Sequence, residues 1–290
     1  MALLIGSHTS IAGGYYRAAE TAAKLGMKTC QLFTKNSNQW RGKPILDSEI
    51  KQFDKTVKES GLAHLISHTS YLINLASPNP ELWQKSVDAL ADEWQRAEQL
   101  HLTGLVMHPG SATDGDETAG MKRIQKGIQA AYGIANPQGS TLLLENTAGQ
   151  GTALGWKIEH LAKLIDSLDR PSYIGICLDS CHAHAAGYDL SLPKGTENLV
   201  AEFEKFSLLD RIHAIHLNDS KKIAGSRVDR HEHLGMGSIT PDGIGRFINH
   251  KAFRDVPMYL ETEKGNDTEG RDWDTVNMEF ACQLYVSKSP

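Results

Sequence analysis

Short apolar runs alternate along the chain with longer segments in which apolar residues recur three or four positions apart. The runs are Leu3 to Gly6, Thr29 to Phe33, Ala63 to Ser67, Gly104 to Met107, Thr141 to Leu144, Ile174 to Leu178, Ile212 to Ile215 and Pro257 to Leu260. Their length and content predict strands. Between them, Ile50, Phe53 and Val57, then Val87, Leu90, Trp94 and Ala97, then Met121, Ile124, Ile128 and Tyr132, then Ile158, Leu161, Ile165 and Leu168 keep helical spacing. Alternating strand and helix units predict a parallel sheet. Eight of them in a chain close to the ~250 residues of a typical closed barrel predict a TIM (β/α)8 barrel, a single domain over 1–290. A doubly wound open sheet would show fewer units and a phosphate-binding glycine fingerprint after its first strand, which the region around Gly6 and Gly13-Gly14 lacks.

The polar residues that close these runs are the second signal. The third run is followed by His68, the fourth by His108, the fifth by Glu145, the sixth by Asp179, the seventh by His216 and the eighth by Glu261. One histidine or carboxylate after a strand is commonly a cap or a solvated loop residue, but six in a barrel converge on the C-terminal rim, where barrel active sites are built. Three more candidates sit in the loops beyond: His182, three residues after Asp179, and Asp229 with His231 in an Asp-x-His arrangement. A catalytic zinc typically takes three protein ligands, so nine potential ligands exceed what one ion needs and suit three. Imidazole with carboxylate favours zinc, with manganese or iron as substitutes. Glu145, Asp179, Asp229 and Glu261 together carry four negative charges, which cannot be packed side by side unless cations offset them. Three divalent ions would turn the rim into a cationic pit suited to an anionic phosphate.

Composition narrows the partners. A formal charge of -5 excludes binding of nucleic acid through bulk basicity and leaves a local cationic site. No segment approaches eighteen apolar residues, and Met1 to Ile11 lacks the charged start and long apolar centre of a secretory signal, so we expect a soluble, cytoplasmic protein that does not enter membranes. Cys30, Cys177, Cys181 and Cys282 show no CxxC pairing and are expected to be reduced and structural. Of the remaining histidines, His64, His101, His160 and His250 are expected to be solvated or hydrogen-bonded. His213 is expected to pack against a helix, because its odd spacing from His216 turns it to the opposite face. His8, His184 and His233 lie near the expected mouth, where they could support ligands.

Longer motifs carry a resemblance that runs nearly end to end. They are Gly6-Ser7-His8-Thr9-Ser10, Phe33-Thr34-Lys35-Asn36, His68-Thr69-Ser70-Tyr71-Leu72-Ile73-Asn74, His108-Pro109-Gly110-Ser111 and Glu145-Asn146-Thr147-Ala148-Gly149-Gln150-Gly151. Leu178 to His182, His216-Leu217-Asn218-Asp219-Ser220-Lys221, Gly225 to Gly237 and Leu260-Glu261-Thr262 complete the set. With these the chain resembles the endonuclease IV family of apurinic/apyrimidinic DNA repair nucleases, TIM barrels with a three-zinc cluster.

The resemblance implies that His68, His108 and Glu145 hold the first zinc. Glu145 as a bridge, Asp179, His216 and Glu261 hold the second, and His182, Asp229 and His231 the third. It implies hydrolysis 5′ to abasic sites in duplex DNA by a hydroxide shared between two metals, with Glu145 and Glu261 as catalytic residues. The products are a 3′ hydroxyl and a 5′ deoxyribose phosphate, and removal of 3′ blocking groups is a further implied activity. Tyr71 and Leu72 match a mouth loop that the family inserts into DNA. Where many members carry Arg two residues before the Trp of a second loop, this chain has Asn38 before Gln39-Trp40, so that cationic insertion is missing. Lys35, Arg41 and Lys43 nearby, and Lys157, Lys221, Arg227 and Arg230, are candidates for phosphate contacts. A monomer with no obligate protein partner is expected.

Two rivals follow from the ligands alone. A dimetal sugar isomerase or epimerase would account for Glu145, Asp179, His216 and Glu261 but has no use for His182, Asp229 and His231. A non-catalytic metal-storage or DNA-structure-binding module is separated by its lack of turnover.

Overall fold

The computed structural model describes residues 3–286, so the ends of the expected 1–290 domain lie outside the described residues. Eight parallel strands close on themselves: β1 (Ile5–Thr9), β2 (Thr29–Phe33), β3 (Ile66–His68), β4 (Gly104–Met107), β5 (Thr141–Glu145), β6 (Ile174–Asp179), β7 (Ile212–His216) and β8 (Met258–Leu260). Each pairs with its neighbour in sequence, and β8 closes the ring on β1 through Ser7 opposite Leu260. The expected TIM barrel is therefore the observed fold, with the first strand at Ile5–Thr9 rather than Leu3 to Gly6 and the third starting at Ile66 rather than Ala63.

Helices surround the ring: α1 (Tyr15–Lys24), α2 (Asp47–Ser60), α3 (Pro80–Gln99), α4 (Glu117–Ala135), α5 (Ile158–Ser167), α6 (Ser180–Ala186), α7 (Gly195–Lys205), α8 (Thr240–Asn249) and α9 (Trp273–Leu284). The starts of α3 and α4 are written in the sequence. Asn79 accepts the Leu82 amide at 3.0 Å ahead of Pro80, and Asp116 accepts the Ala119 amide at 2.9 Å, each satisfying an orphan donor of the first turn. Gly61 ends α2 in the left-handed conformation that glycine adopts without strain. The helical stripes read from spacing are the buried faces: Val87, Leu90, Trp94 and Ala97 of α3 have no solvent exposure.

Two apolar layers result. One lies between strands and helices and includes Leu32, Leu105, Leu142 and Ile176; the other fills the ring and consists of Ile66, Val106, Leu143, Cys177, Ala214 and Tyr259. The inner set matters for function, because in a strand residue i+2 points the same way as residue i. Two positions beyond these six lie His68, His108, Glu145, Asp179, His216 and Glu261. A packed apolar plug thus forms the floor from which six polar side chains rise toward the rim.

Two expectations are corrected here. Ile176 pairs with Ile212 but Cys177 pairs with Ala214, so His213 is the extra residue of a bulge in β7. It is solvent-exposed beside Gly175 of β6 rather than packed against a helix, and the bulge leaves Ala214 and His216 facing inward. His182 is not in a loop but on the short helix α6, which Asp179 caps by accepting the His182 amide at 2.7 Å. Two short antiparallel pairs, Gly110–Ser111 with Ala153–Leu154 and Asp219–Ser220 with His231–Glu232, are not legible in the strand pattern. The second folds the segment after β7 back over the mouth and delivers Asp229 and His231.

Candidate active site

The nine candidate ligands meet at the C-terminal mouth. Their donor atoms fall into His68, His108 and Glu145, then Glu145, Asp179, His216 and Glu261, then His182, Asp229 and His231, with the atoms of each set within 4.8 Å of one another. Glu145 belongs to two sets, and its oxygens divide between them. Oε2 lies 3.1 Å from His68 Nε2 and 3.0 Å from His108 Nε2, whereas Oε1 lies 3.0 Å from His216 Nδ1. Asp229 Oδ2 is 3.1 Å from His182 Nε2, and Oδ1 is 3.5 Å from His231 Nε2.

The other ring nitrogen of four histidines is anchored on an acceptor. His68 Nδ1 donates to Thr69 O at 2.8 Å, His182 Nδ1 to Asn146 O at 2.9 Å, His231 Nδ1 to Glu261 O at 3.2 Å and His216 Nε2 to Gln31 Oε1 at 2.8 Å. A carbonyl oxygen only accepts, so a proton sits on the anchored nitrogen, and the other nitrogen, turned to the cluster, is the one that would offer its lone pair to a metal. That arrangement orients a metal-bound histidine. His182 Nε2 and His231 Nε2 are buried, and although Asp229 lies 3.1 and 3.5 Å away, neither makes an aligned hydrogen bond. Imidazole lone pairs converging with carboxylates around orphaned nitrogens fit divalent metal ions of the zinc type.

Without cations, protons hold the cluster together. Burial raises the Glu145 carboxyl, but His108, His216 and His182 outweigh it and hold it well below the usual carboxylate range. Glu261 is likewise held well below that range, burial being overcome first by His216. Asp229 is pulled down to about 2 against burial, chiefly by His182. Conversely, burial would discharge His182, yet Asp179, Asp229 and Glu145 push it well above its ordinary value. His216 is raised in the same way by Cys177, Glu261 and Glu145.

Around this set stand residues that strand ends do not reveal. Gln31, fully buried on β2, donates through Nε2 to Glu261 Oε1 at 2.6 Å and to His8 Nδ1 at 3.0 Å while accepting from His216. A glutamine inside the run Thr29 to Phe33 is the signal that could have found it. Asn218 donates to Asp179 Oδ2 at 2.8 Å and accepts the Glu261 amide at 2.9 Å; Asn146 accepts the Asp179 amide at 2.7 Å. His8 lies 3.7 Å from Glu261 Oε1 and does support a candidate ligand. His184 and His233 turn to Ser238 and Asn277 instead.

A cleft of about 300 Å³ opens over the cluster beneath Tyr71 and Arg230, and it adjoins one of about 490 Å³ that runs past Asn74 and Gln150. A larger cavity of about 640 Å³, near Tyr15 and Leu46, contains none of the nine ligands. Tyr71 is 69% exposed at the rim, Leu72 is half-buried, and Asn38 and Arg230 are exposed. Lys35 corrects the expectation of a phosphate contact: its ammonium is buried and lies 2.8 Å from Glu93 Oε1. Cys30, Cys177 and Cys181 are buried free thiols, as expected, and Cys282 is free but exposed. No helix among the described residues is long and apolar enough to cross a membrane.

A model of the xylose isomerase-like TIM barrels matches residues 19–278. The protein named Probable endonuclease 4 of Halothermothrix orenii is 43% identical over 270 residues, covering 93% of this chain and 96% of its own. The crystal structure of endonuclease IV from Thermus thermophilus superposes with a TM-score of 0.85 at 35% identity, covering 97% of this chain and 98% of that one. A D-tagatose 3-epimerase-like protein matches with a TM-score of 0.70 and 17% identity over 94% of each chain, a likeness of fold alone. With a shared barrel, 43% identity and near-complete coverage, the chain belongs to the endonuclease IV family.

Proposed function

We propose that the chain is a deoxyribonuclease IV: a metal-dependent apurinic/apyrimidinic endonuclease that hydrolyses the phosphodiester 5′ to an abasic site in duplex DNA. It leaves a 3′ hydroxyl and a 5′ deoxyribose phosphate and also removes 3′ blocking groups. The observation that carries this reading is the division of Glu145, one oxygen toward His68 and His108 and the other toward His216, beside a third donor set of His182, Asp229 and His231. His68, His108 and Glu145 would hold one zinc, Glu145, Asp179, His216 and Glu261 a second, and His182, Asp229 and His231 a third, with manganese or iron as substitutes. Bound there, such ions polarise a phosphodiester and lower the pKa of water enough for hydrolysis at neutral pH.

The chain's own groups bind and orient. Glu145 and Glu261, held well below the carboxylate range, stay anionic and serve as ligands rather than as proton donors. The buried thiols do not attack, because burial pushes Cys30 up to about 11 and Cys177 and Cys181 up to about 12. At the rim, Tyr71 and Leu72 fill the gap an abasic site leaves in the stack, where flipping is least costly. A phenol is neutral at physiological pH, so the wedge carries no charge next to phosphate. Asn38 leaves its loop without the cationic insertion, and Arg230 supplies a phosphate contact.

A dimetal sugar isomerase or epimerase would leave His182, Asp229 and His231 without a task. Counting metal separates the two readings. Three ions per chain with no turnover of a ketose support the nuclease; two ions with turnover of a ketose would replace it.

A further inference from the structure

A charged pair is buried behind the mouth where the proposed chemistry has no use for it. Lys35 follows β2 by two residues, and Glu93 lies on the inner face of α3; their side chains are 2% and 1% exposed and 2.8 Å apart. Burying two charges is costly, and such a pair is weak ground for stability by itself. What the pair touches is more informative. Both carboxylate oxygens of Glu93 accept the amide of Ser70 at 3.1 Å, one residue before Tyr71. Lys35 donates to Gln39 O at 2.6 Å, closing the turn that carries Asn38. The two turns are then tied directly, since Ser70 Oγ donates to Ser37 O at 2.7 Å and accepts the Leu72 amide at 3.2 Å. One turn further along α3, Arg96 donates to Thr34 O and Lys43 O, gripping both ends of the same loop.

We propose that the Lys35–Glu93 pair is a positioning device that locks the Asn38 loop and the Tyr71-Leu72 loop into one rigid wedge, setting recognition of the damaged duplex rather than the hydrolytic step. The proposal rests on the abasic-DNA reading given above. A loop held in its bound form before DNA arrives loses less conformational entropy on binding, so the pair acts on affinity. Charge-assisted bonds to backbone amide and carbonyl fix the direction of the loop roots, while the side chains at the tips stay free for DNA.

The test is single-turnover cleavage of an abasic duplex at increasing enzyme concentration by the metal-loaded protein, its Glu93→Gln variant and the double variant Lys35→Met with Glu93→Gln. The double variant leaves no unpaired buried charge and guards against misfolding of the single one. The half-saturating concentration should rise about tenfold in both variants, while the saturating rate, the metal content and the affinity for intact duplex stay at wild-type values. Lys35→Arg, which keeps a cation beside Glu93, should restore tight binding. An unchanged half-saturating concentration overturns the proposal. So does a parallel fall in rate, metal content and melting temperature, which marks a purely structural pair. A wild-type protein that does not cut the duplex fails earlier and removes the functional reading itself.

Discussion

Glu145 is the residue that two of the three donor sets share, and its environment makes the consequence of changing it specific. Glu145→Gln keeps the shape but replaces one oxygen by an amide donor, which cannot face His68 and His108 on one side and His216 on the other as an acceptor. Cleavage should fall by at least ~10²-fold with the fold intact by circular dichroism; retained activity would contradict its place between two ions. Gln31 acts one step back. Gln31→Leu frees His216 Nε2 and Glu261 Oε1 together, so metal affinity measured by competition with a chelator should drop ~10- to 100-fold.

The same residues set a pH dependence. Glu145 and Glu261 are depressed, so the stability they contribute is present above their ordinary 4.5 and is lost as pH falls. His182 and His216 are raised, so their contribution is complete below 6.5 and is lost as pH rises through the raised values. Metal-free protein should therefore be most stable between these limits and melt progressively lower from pH 6.5 upward. Metal-loaded protein, in which cations take over from protons, should not. Parallel melting curves for the two forms would show that the cluster does not hold metal.

At the scale of elements, the strands set direction and the loops set specificity. Six inner residues, from Ile66 to Tyr259, form the floor, and the pleat carries the next inward position of each strand to the mouth. Both facts follow from period and placement, which is why the barrel and six of the nine donors are legible from strand ends. His182, Asp229 and His231 are legible as candidates from spacing alone, but what brings them to the mouth is tertiary: α6 starts at Asp179 and turns His182 inward, and Asp229 with His231 arrive through a two-residue ladder too short to leave a pattern. His213 escapes the strand reading because a bulge breaks the two-residue period, and Lys35 because a lone lysine in a loop gives no sign of the glutamate 58 positions on that buries it. The loop tips yield their own prediction. Tyr71→Ala, at an exposed site, should change stability by no more than ~0.5 kcal/mol and leave bound metal unchanged, yet weaken binding to an abasic duplex and not to an intact one. Equal loss on both duplexes would remove the wedge role.

Over the whole molecule, a chain of net charge -5 must attract a polyanion through a small part of its surface. Four carboxylates at the mouth would repel DNA; the three divalent ions of the proposed reading would reverse that sign locally and leave the acidic exterior unchanged. On the proposed reading, metal would serve binding as well as chemistry. The most direct test is to incubate the zinc-loaded protein with a duplex carrying one synthetic abasic site, with and without prior chelation, and to map the ends. A metal-dependent cut 5′ to the site, leaving a 3′ hydroxyl, is the predicted result. No cut, or one that survives complete removal of metal, would contradict the account.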